Sequence, residues 1–117
     1  MKEFNHFHPT RLVFGKGSTS QVGKLARKYG DKCLLVSYHQ SKLDKPQKDL
    51  LNTIEKLLTQ ERMAVTHYFG SKPNPISECV DEGIAVAKSE KVGVVIAVGG
   101  GSVIDTSKMI AFRLNNP

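Results

Sequence analysis

The chain has 117 residues, of which 39% are hydrophobic and 24% charged, proportions that are ordinary for a globular protein. Its net charge is +6, but the lysines are scattered and no arginine-rich or basic-aromatic run occurs, so we expect no nucleic-acid partner. Because it contains neither 18 consecutive apolar residues nor an apolar signal core near its start, we expect a cytoplasmic protein with no membrane partner.

The first predicted elements are a short strand and a helix. Residues 11–15 (RLVFG) are β-like and are closed by GKG. Ser18 and Gln21 then fit a capping box, which predicts the start of a helix. Gly30 has the position of a left-handed C-terminal stop. The apolar residues of this helix fall at helical spacing: Val22, Leu25, Ala26 and Tyr29.

A buried strand and a second helix follow. Residues 32–37 (KCLLVS) form a short apolar run, typical of a strand inside a sheet. Asp44 and Gln47 make a second capping box, with Pro46 in the first turn. One apolar stripe is expected to face the core: Leu50, Leu51, Ile54, Leu57 and Leu58.

Two further strands and two helices complete the pattern. Residues 63–69 (MAVTHYF) are β-branched and aromatic, hence a strand, and residues 70–75 (GSKPNP) read as a loop. Residues 92–98 (VGVVIAV) predict a strand covered on both faces, followed by a helix over 103–114. The third helical stripe comprises Ile76, Cys79, Val80, Gly83, Ile84 and Ala87.

Strands that alternate with helices through short turns predict a Rossmann-like α/β fold, a layered parallel sheet with helices on both faces. We expect one domain over residues 1–117. Its cysteines, Cys33 and Cys79, lie among apolar residues and form no CxxC motif, so buried free thiols are expected. Such sheets bind ligands at the carboxyl ends of their strands. Three unusual loops fall there: SYHQSK (37–42), PNP (73–75) and GGGS (99–102).

The glycine loop predicts anion binding. Gly99, Gly100 and Gly101 lack Cβ atoms, so backbone N–H groups can approach a phosphate at the start of the next helix, and Ser102 can add a hydroxyl donor. An alternative is structural, since Ser102 and Asp105 also fit a capping box. The carboxylate of Asp105 would repel phosphate, so a functional Asp105 should face a hydroxyl or a sugar. A standard dinucleotide fingerprint is excluded, because GxGxxG is absent and the glycines follow the fourth strand.

In order and spacing, FGKG (14–17), PNP (73–75) and GGGSVIDTSK (99–108) resemble the N-terminal half of iron-containing alcohol dehydrogenases, over essentially the whole chain. Within that family the resemblance is to butanol-dehydrogenase-like members, and the family shares its fold with dehydroquinate synthase. It implies that the glycine loop holds the pyrophosphate of NAD or NADP, that Asn74 lies near the cofactor and that Asp105 lies on the nicotinamide side. The corresponding loop residues are Gly99, Gly100, Gly101 and Ser102.

The segment after the second strand bears on cofactor choice. Many NAD-preferring relatives carry an aspartate there that binds a ribose hydroxyl, whereas this chain has Tyr38. Ser41 and Lys42 follow and could contact a 2′-phosphate, which slightly favours NADP. The glycine-rich turn of NADP-tolerant relatives is missing here.

The family continues into a helical domain whose one Asp and three His bind iron or zinc. This sequence contains no such set. Its histidines, His6, His8, His39 and His67, do not replace it, so we expect no metal ligand and no catalytic residue here. In a complete enzyme, hydride would pass between an alcohol or aldehyde and the nicotinamide. These 117 residues alone should be inactive.

Two other functions remain open. One is a lyase similar to dehydroquinate synthase, which has a similar GGG loop, although Ile104 before Asp105 argues against it. The other is a truncated, non-catalytic module that binds a nucleotide or a partner. In either case the apolar helix stripes predict an exposed patch that favours homo-oligomers.

Overall fold

The computed structural model describes residue 15 and residues 17–71 and 77–115. Residues 11–14 of the predicted strand 11–15, and Ile76, lie outside this part. The described elements, in chain order, are α1 (Val22–Arg27), β1 (Lys32–Tyr38), α2 (Lys45–Gln60), β2 (Ala64–Ser71), α3 (Ser77–Ser89), β3 (Val94–Ala97) and α4 (Gly101–Asn115). Short 3-10 turns at Ser18–Gln21 and Gln40–Lys42 precede α1 and α2.

The described strands form one parallel sheet in the order β2-β1-β3. The chain therefore leaves β1 toward one side of the sheet and returns to its other side for β3. This reversal creates a crevice between the carboxyl ends of β1 and β3, the place where ligands bind in open α/β sheets. The predicted parallel α/β architecture is confirmed.

Helices cover both faces of the sheet because the side chains of β1 alternate between them. Leu34 and Val36 pack against α3 and α4, together with Tyr68, Val80, Ile84, Val103 and Ile110. Cys33 and Leu35 face α1 and α2, together with Ala26, Leu51, Ile54, Leu58 and Met63. Residues 33–37 are fully buried, as a central strand requires.

β3 is less buried than its sequence predicts. Each of its residues is only half-buried, because among the described residues it pairs with β1 and has no partner on its other edge. The predicted coverage of both faces is confirmed, since Val95 and Ala97 pack on the side of α3 and α4, and Val94 and Ile96 pack on the side of α1 and α2.

The predicted capping of α1 was also wrong. Backbone carbonyls hold the turn before it, since Gly15 O accepts from Ser18 N and Gly17 O accepts from Ser20 N, both at 3.1 Å. No side chain caps α1, and Tyr29 is 76% exposed. Gly30 has no positive φ; a Cβ there would lie 3.4 Å from the Cα of Gly93, so it permits close backbone packing instead of a left-handed stop.

The start of α2 follows the sequence pattern. Asp44 Oδ1 accepts from Gln47 N and Gln47 Oε1 accepts from Asp44 N, each at 2.9 Å. Both members of the box and Pro46 were predicted. The predicted stripe is buried at Leu51, Ile54 and Leu58, whereas Leu50 is 42% exposed.

Candidate functional site

The three glycines of the turn after β3 have different structural roles. Gly99 has a φ of 152°, and a Cβ there would lie 2.7 Å from Cγ2 of Val103. Only glycine fits this position without strain. A Cβ at Gly100 or Gly101 would have nothing within 4 Å. Gly99 therefore makes the turn, and the next two glycines leave open space above the start of α4.

Helix α4 begins at Gly101, two residues before the predicted start. Ser102 consequently lies inside its first turn and does not precede the helix as an N-cap would. The first N–H groups of an α-helix have no partner in their own helix and carry a partial positive charge. The exposed glycines place these donors beside solvent, an arrangement suited to an anion. Asp105 is exposed in the same helix.

A pocket of about 250 Å³ lies at the crevice between β1 and β3. It brings together three of the predicted site residues, Tyr38, Gly99 and Gly100. The rest of its lining is Leu43, Gln47, Leu50, Leu51 and Val98. Most of this wall comes from α2 and was missed in the sequence. Leu50 is exposed although it belongs to the apolar stripe of α2. Its position in the pocket wall accounts for this exposure.

The remaining predicted residues lie outside this lining. Ser41 and Lys42 occupy the 3-10 turn after β1, where Nδ1 of His39 accepts from Ser41 N at 3.2 Å. Both are exposed, and neither lines the pocket. Gly101, Ser102 and Asp105 continue along α4 from the pocket edge. Asn74 lies outside the described residues.

His67 is a half-buried histidine in β2. The sequence predicts that it lies in a strand and indicates no function for it. Its Nε2 lies 3.2 Å from Ser37 Oγ, and its ring stacks on Phe69 with centroids 3.7 Å apart. Desolvation lowers the pKa of His67, while the negative charge of Glu55 partly opposes this shift. The imidazole is therefore held neutral near physiological pH.

The two cysteines offer no reactive thiol to the site. Cys33 and Cys79 are free and buried, as predicted, and burial raises the pKa of the Cys33 thiol to about 11. Such a thiol is a poor nucleophile. Among residues 15, 17–71 and 77–115, no group of three or more His, Cys, Asp or Glu side chains could hold a metal ion. None of the helices in this part is both long and apolar enough to cross a bilayer.

Comparisons with known proteins agree with the motifs and the sheet. The family model for iron-containing alcohol dehydrogenase matches residues 9–117. A probable NADH-dependent butanol dehydrogenase of Bacillus subtilis is 36% identical over 111 residues, covering 95% of this chain and 28% of the relative. The NADPH-dependent aldehyde reductase YqhD of Escherichia coli is 32% identical over 118 residues, covering 100% of this chain and 29% of the relative.

Solved structures give the same result. The crystal structure of an NADH-dependent butanol dehydrogenase from Thermotoga maritima superposes with a TM-score of 0.80 at 33% identity, covering 95% of this chain and 27% of that one. The chain thus spans between a quarter and a third of the length of these relatives. The family match covers most of the sequence, and the butanol-dehydrogenase-like resemblance is confirmed. The chain belongs to the iron-containing alcohol dehydrogenase family.

Proposed function

We propose that residues 1–117 form the nicotinamide-dinucleotide-binding domain of an iron-type alcohol dehydrogenase. The observation that carries this proposal is the open space at Gly100 and Gly101, placed over the start of α4 and beside the β1–β3 crevice. A pyrophosphate needs both backbone N–H donors and room for its oxygens, and this turn offers the two together. The residues therefore fit a dinucleotide.

Each residue near the turn has a distinct role in this proposal. Backbone N–H groups of Gly100, Gly101 and Ser102 hold the pyrophosphate. The exposed carboxylate of Asp105 would repel phosphate, so it orients the nicotinamide side through a hydroxyl or amide donor. Asn74, by family resemblance, contacts the same cofactor.

The end of β1 favours NADP. Tyr38 lines the pocket where a carboxylate would repel a 2′-phosphate, and Ser41 and Lys42 follow on the adjacent turn. This chain matches relatives named as NADH-dependent and relatives named as NADPH-dependent, so the comparisons do not favour either cofactor. The proposed preference for NADP therefore depends on Tyr38, Ser41 and Lys42.

In a complete enzyme of this family the bound nicotinamide supplies the acceptor or donor of a hydride exchanged with an alcohol or aldehyde. The residues of this chain bind and orient that cofactor. The described residues do not fit iron or zinc, because they hold no suitable group of ligands. We therefore place the metal outside the described residues and, as the family resemblance implies, expect the chain alone to be inactive.

The proposal extends to partners and location. The positive charge of the sequence is scattered along the chain, which supports the proposal that it has no nucleic-acid partner. A cytoplasmic location and no membrane partner belong to the same proposal. Phe112 and Met109 are 66% and 47% exposed on α4, which supports association with another protein surface, such as a second copy.

The test is direct binding of NADPH, NADH and ADP by calorimetry to the wild type, Gly100→Val and Ser102→Ala. A Cβ at position 100 meets no protein atom within 4 Å, and the side chain of valine would fill the volume assigned to phosphate, so this change should nearly abolish binding while the fold survives. Ser102→Ala, which removes the hydroxyl donor but keeps the backbone N–H, should weaken binding moderately, and Ser89→Ala at the far end of α3 is its control. Unchanged binding in folded Gly100→Val would show that the glycines serve only the turn.

A further inference from the structure

Ser37 is a buried hydroxyl that follows the apolar run Cys33–Val36 in β1. Among the described residues, Thr106 and Ser107 are also buried, but each donates to the carbonyl four residues earlier in α4, a common arrangement in helices. Ser37 is 0% exposed, and the pairing of β1 with β2 shifts between Val36 and Tyr38, directly at this residue. A polar group buried at a strand irregularity requires specific partners.

The partners of Ser37 fix the protonation of His67. Ser37 Oγ lies 3.0 Å from the carbonyl oxygen of Tyr38 and 3.2 Å from Nε2 of His67. The hydroxyl has one proton, and the carbonyl can only accept it. Both contacts are satisfied together when Nε2 carries a hydrogen and donates to Ser37 Oγ. His67 is then the Nε2–H tautomer, and its Nδ1 keeps a lone pair.

His67 is also linked to His39, the residue after Tyr38, through the ring of Phe69. Its ring stacks on Phe69, and the Phe69 ring meets the ring of His39 edge-on with centroids 6.4 Å apart. His39 in turn caps the 3-10 turn through Ser41 N. One imidazole in β2 thus supports the backbone of β1 at Tyr38 and, through Phe69, the turn that follows.

We propose that His67, acting through Ser37 and Phe69, is a positioning residue for residues 38–42 and so determines selectivity for dinucleotides that carry a 2′-phosphate. This inference rests on the proposed function, in which Ser41 and Lys42 meet that phosphate. The glycine turn extends from β3, which is separated from β2 by β1. Loss of the His67 contact should therefore disturb the contacts of the 2′-phosphate and leave the pyrophosphate end of the site intact.

The first experiment needs no nucleotide. The ¹⁵N chemical shifts of the His67 ring in the wild-type chain should show a protonated Nε2 and an unprotonated Nδ1. Amide hydrogen exchange over residues 38–42 should accelerate in His67→Phe, which keeps an aromatic ring but removes the donor. The opposite tautomer, or unchanged exchange in His67→Phe, would overturn the positioning role.

The second experiment measures the affinities of NADPH, NADH and ADP. In His67→Phe the preference for NADPH over NADH should fall about three- to tenfold, the range expected for one hydrogen bond, with ADP affinity unchanged. His67→Gln, whose amide can donate to Ser37, should restore the preference. Ser107→Ala removes another buried hydroxyl and is the matched control, for which no change is expected.

The outcomes separate the two proposals. Equal weakening of all three ligands in His67→Phe would assign His67 a purely structural role, and an unchanged NADPH/NADH ratio would remove it from selectivity. If the wild type binds none of the ligands, the proposed function fails and the selectivity role fails with it. The imidazole tautomer and amide exchange still decide whether His67 positions the turn.

Discussion

Gly99 and Val103 approach so closely that a Cβ on Gly99 would lie 2.7 Å from a methyl carbon of Val103. Gly99→Ala should therefore destabilise the fold by about 1–3 kcal/mol, through both this clash and the positive φ. Gly100→Ala has open space and should change stability by less than about 1 kcal/mol while weakening pyrophosphate binding. Thermal unfolding and ADP titration of both variants test this, and equal destabilisation of the two would contradict it.

The neutral state of His67 makes stability depend on pH. Its pKa is lowered in the folded protein, so the unfolded chain binds more protons as pH falls below about 6.5, the usual histidine value. The free energy of unfolding should therefore decrease from pH 7 toward pH 5. His67→Gln should show a smaller decrease in urea titrations at each pH. A decrease as large as that of the wild type would assign the effect to other groups.

Lys42 should influence which dinucleotide binds. Lys42→Glu replaces a cation near the proposed 2′-phosphate with an anion, so the NADPH/NADH affinity ratio should fall about tenfold or more. Lys28→Glu, at the C-cap of α1, makes the same charge change away from this turn and should leave the ratio nearly unchanged. A ratio that is the same in Lys42→Glu and the wild type would remove Lys42 from the site.

The thiols should be protected by the fold. Cys33 and Cys79 are buried, and the pKa of Cys33 is raised to about 11, so the native protein at pH 8 should react with a disulfide reagent far more slowly than the urea-unfolded chain. Absorbance of the released thiolate measures both rates. Rapid reaction of either thiol in the native protein would show that its surroundings open readily.

The apolar side of α4 should promote association. Phe112→Glu adds a charge to a side chain that is 66% exposed, so it should reduce any concentration-dependent association seen by sedimentation velocity. Tyr29→Glu changes another exposed aromatic residue on α1's side of the sheet and is the control. A wild-type chain that stays monomeric at every concentration would contradict the expectation.

Sequence patterns predicted helix capping correctly only where the side chains themselves make the capping hydrogen bonds. Asp44 and Gln47 form their capping box because the two side chains bond each other's backbone. Ser18 and Gln21 have the same spacing and form none. There the carbonyls of Gly15 and Gly17 already hold the turn, and a sequence pattern does not reveal those bonds.

Only part of the candidate site could be predicted from the sequence. The glycine turn and α4 could be recognised because they are continuous in sequence. Gln47 and Leu50 reach the pocket only through packing of α2 over the crevice, and Ser37 meets His67 only through the β1–β2 register. Asn74 remains a prediction, since it lies outside the described residues.

The central position of β1 also governs how the chain reaches its fold. Cys33 pairs with Val65 on one side and Val94 on the other, so both ladders close long loops, which slows folding. During synthesis at about 5–20 residues per second, β1 would wait roughly 3–12 s before the β3 sequence is made. Over that interval its apolar row, Leu34, Leu35 and Val36, lacks its final covering, so the nascent chain exposes surface that favours aggregation until β3 is made.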